Sequence, residues 1–254
     1  TIILPEFSRK SRALVVETSK LNWSEINPDI FGSMIQAVTH AGIREDLGMH
    51  YTSVSNILNV INPLFLESLR NELDKAGESV KRLEELRNRI TKIRVFDPAC
   101  GSGNFLIISF KKLCEIEIEI IDRIQATGAT TMPLSGISLN NFYGIEIDDF
   151  AHEIARLSMW LTQHQMNLQF KDAFGFSKPA LPLKETGRIV CGNATRLDWN
   201  EVCPPVGTNH EEHEIYIVGN PPYEGSRKQK ESQKKDLKDL FKNDYKSLDY
   251  ISAW

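Results

Sequence analysis

Two short runs in this sequence combine residue types that can do chemistry together. The first is Asn220-Pro221-Pro222-Tyr223. Successive prolines forbid helix and sheet pairing and hold the backbone extended, with its carbonyls outward. An amide side chain, a rigid carbonyl and an aromatic face are thereby presented side by side. That set suits a planar amino group. Asn220 Oδ1 and the Pro221 carbonyl can accept its two hydrogens while the Tyr223 ring stacks on the heterocycle that bears it. An aryl amine is a poor nucleophile because its lone pair is delocalised. Two acceptors favour a pyramidal nitrogen whose lone pair points at an incoming alkyl group. Positioning and electrostatics then carry the rate, and no covalent enzyme intermediate is needed.

The second run, Asp97-Pro98-Ala99-Cys100-Gly101-Ser102-Gly103, follows a predicted strand and opens a predicted helix. Glycines allow a sharp turn and close approach of a ligand to the backbone. The amides of the following helix can hold a carboxylate or phosphate. The run is neither G-x-G-x-x-G nor a P-loop, since it lacks the lysine. So short a turn, led by an acid, suits a small cationic amphiphile better than a pyrophosphate. Glu146 closes the next strand, where an acid can accept hydrogen bonds from both hydroxyls of a ribose. It follows the turn by about fifty residues, beyond the spacing of roughly twenty in dinucleotide-binding folds.

These runs require elements that bring them to one edge. Ile93–Phe96, Phe142–Ile145, Arg188–Cys191 and Ile215–Val218 read as strands. Helices are predicted over Asn104 to about Ile124 and Asp149 to about Met166, the latter with Ile154, Leu157 and Leu161 inward. The alternation argues for an open, largely parallel α/β sheet, whose ligands gather at the carboxyl ends of the strands. Residues 126–141 and 172–187 read as surface loops. Residues 1–90 read as a helical region and 91–254 as the α/β core. In the helical part, Asn27-Pro28 begins one helix carrying Ile30, Phe31, Met34, Ile35 and Val38. Thr52 or Ser53 caps a second with Ile57, Leu58 and Ile61, which Pro63 should kink or break. Glu78 to Ile90 forms a surface helix with Val80, Leu83 and Leu86 on its inner face.

Composition is that of a water-soluble globular chain, with 41% hydrophobic and 25% charged residues. No run is long enough to span a bilayer, and Thr1 to Lys20 carries no continuous apolar h-region, so no secretory signal and a cytoplasmic location are expected. The four cysteines (Cys100, Cys114, Cys191, Cys203) stand at no metal-ligand spacing; reduced thiols and no metal are expected. The net charge of −4 does not advertise nucleic acid. Basic residues crowd the end of the chain (Arg227, Lys228, Lys230, Lys234, Lys235, Lys238, Lys242, Lys246), but Glu231, Asp236, Asp239 and Asp244 interleave with them. A solvated helix face is as good a reading as a phosphate-binding one. The start without Met and the end in mid-pattern at Trp254 read as a piece of a longer protein.

Taken together, the motifs resemble those of the γ-ordered N6-adenine DNA methyltransferases. The D-P-A-C-G-S-G turn precedes N-P-P-Y, and Gly48-Met49-His50-Tyr51-Thr52-Ser53 is similar to that family's upstream cofactor segment. Gly144 to Asp148 resembles its acidic second-strand motif, and Leu248-Asp249-Tyr250 to Trp254 the start of the segment after N-P-P-Y. The likeness points to the methyltransferase part of single-chain type II restriction–modification enzymes, the MmeI-like group. It implies a Rossmann-like methyltransferase sheet, incomplete on its C-terminal side, and S-adenosylmethionine as cofactor. Thr52 and the backbone of Ala99, Gly101 and Gly103 would hold the methionine end, Asp97 its amino group, and Glu146 the ribose. Asn193 falls where the family reads the cofactor adenine, and Tyr51 lines the pocket. Asn220, Pro221, Pro222 and Tyr223 would take the target adenine, flipped out of double-stranded DNA.

The resemblance further implies a target-recognition domain beyond Trp254. Any nuclease would lie before Thr1, because Glu17 and Lys20 are not spaced as a nuclease Glu-x-Lys. The 254 residues alone are expected to be inactive on specific DNA. Three other readings stay open: cytosine N4 as the acceptor, a planar amine in RNA or protein, and a non-catalytic module of the same fold. Cytosine C5 is disfavoured, since no Pro-Cys pair follows the fourth strand and Cys203-Pro204 has the reverse order.

Overall fold

The computed structural model describes residues 8–22, 25–26, 30, 52–176, 187–205 and 214–254. Among them four strands form one sheet: β1 (Arg94–Asp97), β2 (Phe142–Glu146), β3 (Arg188–Cys191) and β4 (Ile215–Ile217). Their order is β3-β2-β1-β4 and every pairing is parallel. The expected open parallel α/β sheet is therefore what forms. β2 is buried at all of its positions and β1 at its last three, as strands covered on both faces must be.

The helices are α1 (Arg9–Thr18), α2 (Val54–Ile61), α3 (Glu67–Ala76), α4 (Val80–Ile90), α5 (Asn104–Ala126), α6 (Asp149–Phe174), α7 (Trp199–Val202) and α8 (Glu231–Phe241). The helix expected after Asn27-Pro28, with Phe31 to Val38, and the segment Gly48 to Tyr51 lie outside the described residues. Pro63 neither breaks nor stops its helix. It sits in one widened turn, Asn62–Leu66, that joins α2 to α3. A wider turn absorbs a residue with no N–H to donate, which a regular helix cannot do without a kink.

Ile57, Leu69, Leu83, Leu86 and Ile90 of α2 to α4 share one hydrophobic core with Val95, Leu106, Phe110 and Phe142. The loop after α5 is pinned rather than free. Glu117, fully buried on α5, accepts from Ser135 Oγ (2.6 Å) and the Gly136 amide (2.7 Å). Arg87 of α4 donates to Thr131 Oγ1 and to the carbonyls of Met132 and Leu134.

α6 corrects one expectation. It runs to Phe174, and its buried stripe is Ala151, Ala155, Ser158, Met159, Leu161 and Thr162. Leu157 instead faces out, 36% exposed. At Ala155 a small residue is needed because α6 meets the glycine turn there. A β-carbon on Gly103 (φ +87°) would stand 3.4 Å from that of Ala155. No helix among the described residues is long and apolar enough to cross a membrane.

Candidate active site

Because the strands are parallel, the residues that follow them emerge on one rim. Asp97 ends β1, Glu146 ends β2, Asn193 comes two residues after β3, and Gly219-Asn220 follows β4. β1 lies between β2 and β4, so the glycine turn is flanked by the acid on one side and the Asn220 bend on the other.

The turn is tied down at several points. Cys100 N–H donates to the Ile145 carbonyl (3.0 Å) and Gly101 N–H to Glu146 Oε2 (2.7 Å). Glu146 Oε1 accepts from the Asp148 amide at 2.9 Å. Each carboxylate oxygen thus has one backbone donor and a lone pair to spare. Burial pushes the Glu146 carboxyl above its ordinary value, and the amides of Asp148 and Gly101 oppose that rise.

Asp97 is 1% exposed, and its Oδ1 accepts from the Ala99 amide at 2.9 Å. Oδ2 has no hydrogen bond among the described residues. Burial pushes this carboxyl up to about 7, the Ala99 amide pulling it down and Glu146 adding to the rise. A buried carboxylate with one bare oxygen and, among the described residues, no cation paired with it is costly. The site is thus electrostatically suited to an ammonium group.

Gly219 connects the two corners. A β-carbon there would lie 2.5 Å from Asp97 Oδ1, so only glycine lets the β4 chain pass over the acid. Asn220, next along, donates from Nδ2 to Thr52 Oγ1 at 3.3 Å. Its amide oxygen takes none of the described hydrogen bonds. Thr52 is placed by the start of α2, where Ser53 caps the helix by accepting from the Asn56 amide. Thr52, Asp97, Ala99, Gly101, Gly103, Glu146 and Asn220 therefore converge, while Tyr51 lies outside the described residues.

Asn193 stands on the same rim but is engaged by its own loop and by α8. Its Oδ1 accepts from Thr195 N–H (3.0 Å) and Thr195 Oγ1 (2.7 Å), and its Nδ2 donates to Asp236 Oδ2 (3.1 Å). Asp236 also receives Arg196 Nε (2.7 Å) and the Tyr250 hydroxyl (3.1 Å) and is buried to 3% exposure. That acid does not belong to a solvated face. It docks α8 against the loop after β3, whereas Lys235, Lys238 and Lys242 on α8 or at its end are exposed.

Tyr223 projects from the Pro221-Pro222 segment and is 68% exposed. Its hydroxyl donates to Asp249 Oδ2 at 3.0 Å. Sequence reasoning had no role for Gly219, Asp236 or Asp249. For Gly219 a signal was present, a glycine between a buried valine and the Asn-Pro-Pro run. The other two act through partners tens of residues away.

The sequence profile described as MmeI, DNA-methyltransferase domain, matches residues 73–254. The chain belongs to that family. The family match starts within α3 and takes in the whole sheet. DNA methyltransferase A of Bacillus subtilis is 52% identical over 254 residues, 98% of this chain and 28% of that protein. A Methanocaldococcus jannaschii protein named as a type II restriction enzyme and methyltransferase is 33% identical over 165 residues, 54% of this chain and 14% of its own length. The solved type IIL restriction–modification enzyme MmeI in complex with DNA superposes with a TM-score of 0.85 at 38% identity, over 98% of this chain and 33% of that one. The chain thus spans about a third or less of each relative.

Proposed function

We propose that the protein transfers a methyl group from S-adenosylmethionine to the N6 amino group of an adenine flipped out of double-stranded DNA, within a restriction–modification system. One observation carries this reading: Gly219 passes against the Asp97 carboxylate and hands the chain to Asn220, which reaches Thr52. A donor held at Asp97 and an amine held at Asn220 are then neighbours. The DNA-bound MmeI relative and the names of the curated relatives support DNA as the substrate.

The residues present fit the cofactor. Asp97 Oδ2 would take its ammonium group, and the amides opening α5 its carboxylate. The spare lone pairs of Glu146 suit ribose hydroxyls. Asn193 would read the adenine by exchanging its Thr195 contact. Bound in this way, S-adenosylmethionine supplies an electrophilic methyl group on a sulfonium.

The chain's own part is to place and polarise the amine. Asn220, tied at Nδ2 to Thr52, offers its Oδ1 to one N6 hydrogen; the Pro221 carbonyl takes the other. Both acceptors draw the nitrogen towards a pyramidal shape and become stronger partners as positive charge grows on it, which is transition-state stabilisation. Tyr223 would stack on the base, worth roughly 1–3 kcal/mol by analogy with other base–aromatic contacts. Exposed lysines of α8 would meet the phosphate backbone. The remaining target-recognition part, and any nuclease, would lie elsewhere in the full-length chain.

The test is methylation of DNA by the full-length protein with labelled cofactor, followed by digestion and mass spectrometry. N6-methyladenine is expected. N4-methylcytosine would overturn the choice of base, and label confined to RNA or protein would overturn DNA as substrate. Asn220→Ala should abolish transfer while S-adenosylhomocysteine still binds; a fully active variant would remove Asn220 from the mechanism.

A further inference from the structure

The Tyr223 ring has little to hold it. It is 68% exposed and stacks on no other aromatic among the described residues. A ring left to its χ1 and χ2 rotamers would sample several directions. Its tip, however, is tied down, because the hydroxyl donates to Asp249 Oδ2 at 3.0 Å. The other oxygen, Oδ1, accepts from the Ser226 amide at 2.9 Å. One carboxylate therefore grips both the end of the tyrosine and the backbone three residues further on.

Asp249 is itself held by its neighbours. Tyr250 N–H donates to the Glu224 carbonyl (2.8 Å), and Gln229, 7% exposed, donates from Nε2 to the Leu248 carbonyl (2.8 Å). The Tyr250 hydroxyl ends on buried Asp236, which also binds Asn193 and Arg196. The Asn-Pro-Pro-Tyr loop, the segment at 248–250, α8 and the loop after β3 form one hydrogen-bonded chain. A surface carboxylate with no task would not need two donors from one loop and a braced backbone.

We infer that Asp249 is a positioning residue for the target base, fixing the plane of the Tyr223 ring through its hydroxyl and the following backbone through Ser226. This inference rests on the reading of Tyr223 as the residue that stacks on the base. Asp249 touches neither base nor cofactor; it acts through the tyrosine. A ring already set in one orientation needs no ordering when the base arrives, so more of the stacking energy holds the flipped state.

The experiment uses the full-length protein and a duplex containing the site that the wild-type enzyme methylates, read by single-turnover methylation and by 2-aminopurine emission at the target position. Losing a charge-assisted hydrogen bond predicts that Asp249→Ala and Tyr223→Phe each slow transfer roughly ten- to a hundredfold. Both should lower the emission gained on flipping and leave S-adenosylhomocysteine affinity and the thermal midpoint unchanged. The Asp249→Ala/Tyr223→Phe double variant should be no worse than the slower single, within about twofold, because the Tyr223–Asp249 hydrogen bond is already lost in either single. Asp249→Asn keeps the shape and an acceptor and should fall between wild type and Asp249→Ala. A wild-type rate in Asp249→Ala, or effects that multiply in the double variant, would overturn the inference. A wild-type rate in Tyr223→Ala would instead bring down the base-stacking role itself. If Tyr223→Ala is slow and Asp249→Ala is not, only the role of Asp249 falls.

Discussion

Gly219 and Asp97 stand so close that a single added carbon would not fit between them: a β-carbon on Gly219 would meet Asp97 Oδ1 at 2.5 Å. The obstacle is a short side chain already held by the Ala99 amide, so it cannot swing clear. Gly219→Ala should therefore separate β4 from the glycine turn and misplace the ammonium site and Asn220 together. We expect cofactor affinity to fall at least roughly tenfold and methylation to fall further, since the second loss multiplies the first. Calorimetric titration with S-adenosylhomocysteine beside an activity assay measures both. Unchanged affinity would mean that the two corners are not mechanically joined.

If Asp97 holds the ammonium group as proposed, its elevated carboxyl should make cofactor binding depend on pH. An ammonium group binds the ionised form, yet the free protein keeps its proton up to about pH 7. Below that pH the proton must leave as the cofactor enters. Affinity should be level above about pH 7 and fall towards tenfold for each pH unit by which the solution is acidified from 7 to about 5, where the amine stays charged. Titration at pH 6 in buffers of different ionisation enthalpy should detect close to one proton released.

The same carboxyl affects the stability of the cofactor-free protein. Its folded value is raised, so the fold is favoured at pH below about 4 and that advantage is lost as pH rises through about 7. The full difference corresponds to at most roughly 4 kcal/mol. Asp97→Asn, which keeps an acceptor for Ala99, should raise the denaturation midpoint at pH 8, change it little at pH 4, and cripple cofactor binding. Equal midpoint shifts at both pH values would contradict the elevated carboxyl.

Thr52 Oγ1 accepts from Asn220 Nδ2 and so fixes which end of the amide faces outward. Thr52→Val preserves shape and removes that acceptor. Loss of one neutral hydrogen bond predicts roughly five- to tenfold slower methylation with little change in DNA affinity. Thr52→Ser should restore most of the rate, which a simple packing role for the threonine methyl would not allow.

Asp236 is buried and receives three donors. Asp236→Ala should cost roughly 1–3 kcal/mol, the lower part of the range for a lost buried ion because Arg196 can turn to water. Pulse proteolysis should show α8 released before the sheet unfolds. Simultaneous loss of both would show that α8 is not separately anchored.

Much of this was legible in the sequence. The four strands and the order of the motifs follow from short β-branched and aromatic runs ending in Asp, Glu and Asn. Parallel pairing then puts those ends on one rim. What escaped depended on long-range packing. Of the residues expected inward on α6, Leu161 is buried but Leu157 faces out, because the buried face is turned to bring Ala155 against Gly103, a contact that no periodicity reveals. Asp236 looked like one acid among lysines because its partners are 14 to 43 residues away. Pro63 looked like a helix stop, and a single widened turn took it in.

The order β3-β2-β1-β4 puts Asp97 and Glu146 at the ends of adjacent strands, each flanked on both sides. The separation of the two acids is therefore inherited from the sheet itself. A molecule that spans them meets a gauge of fixed length, and altering that length would mean moving a whole strand.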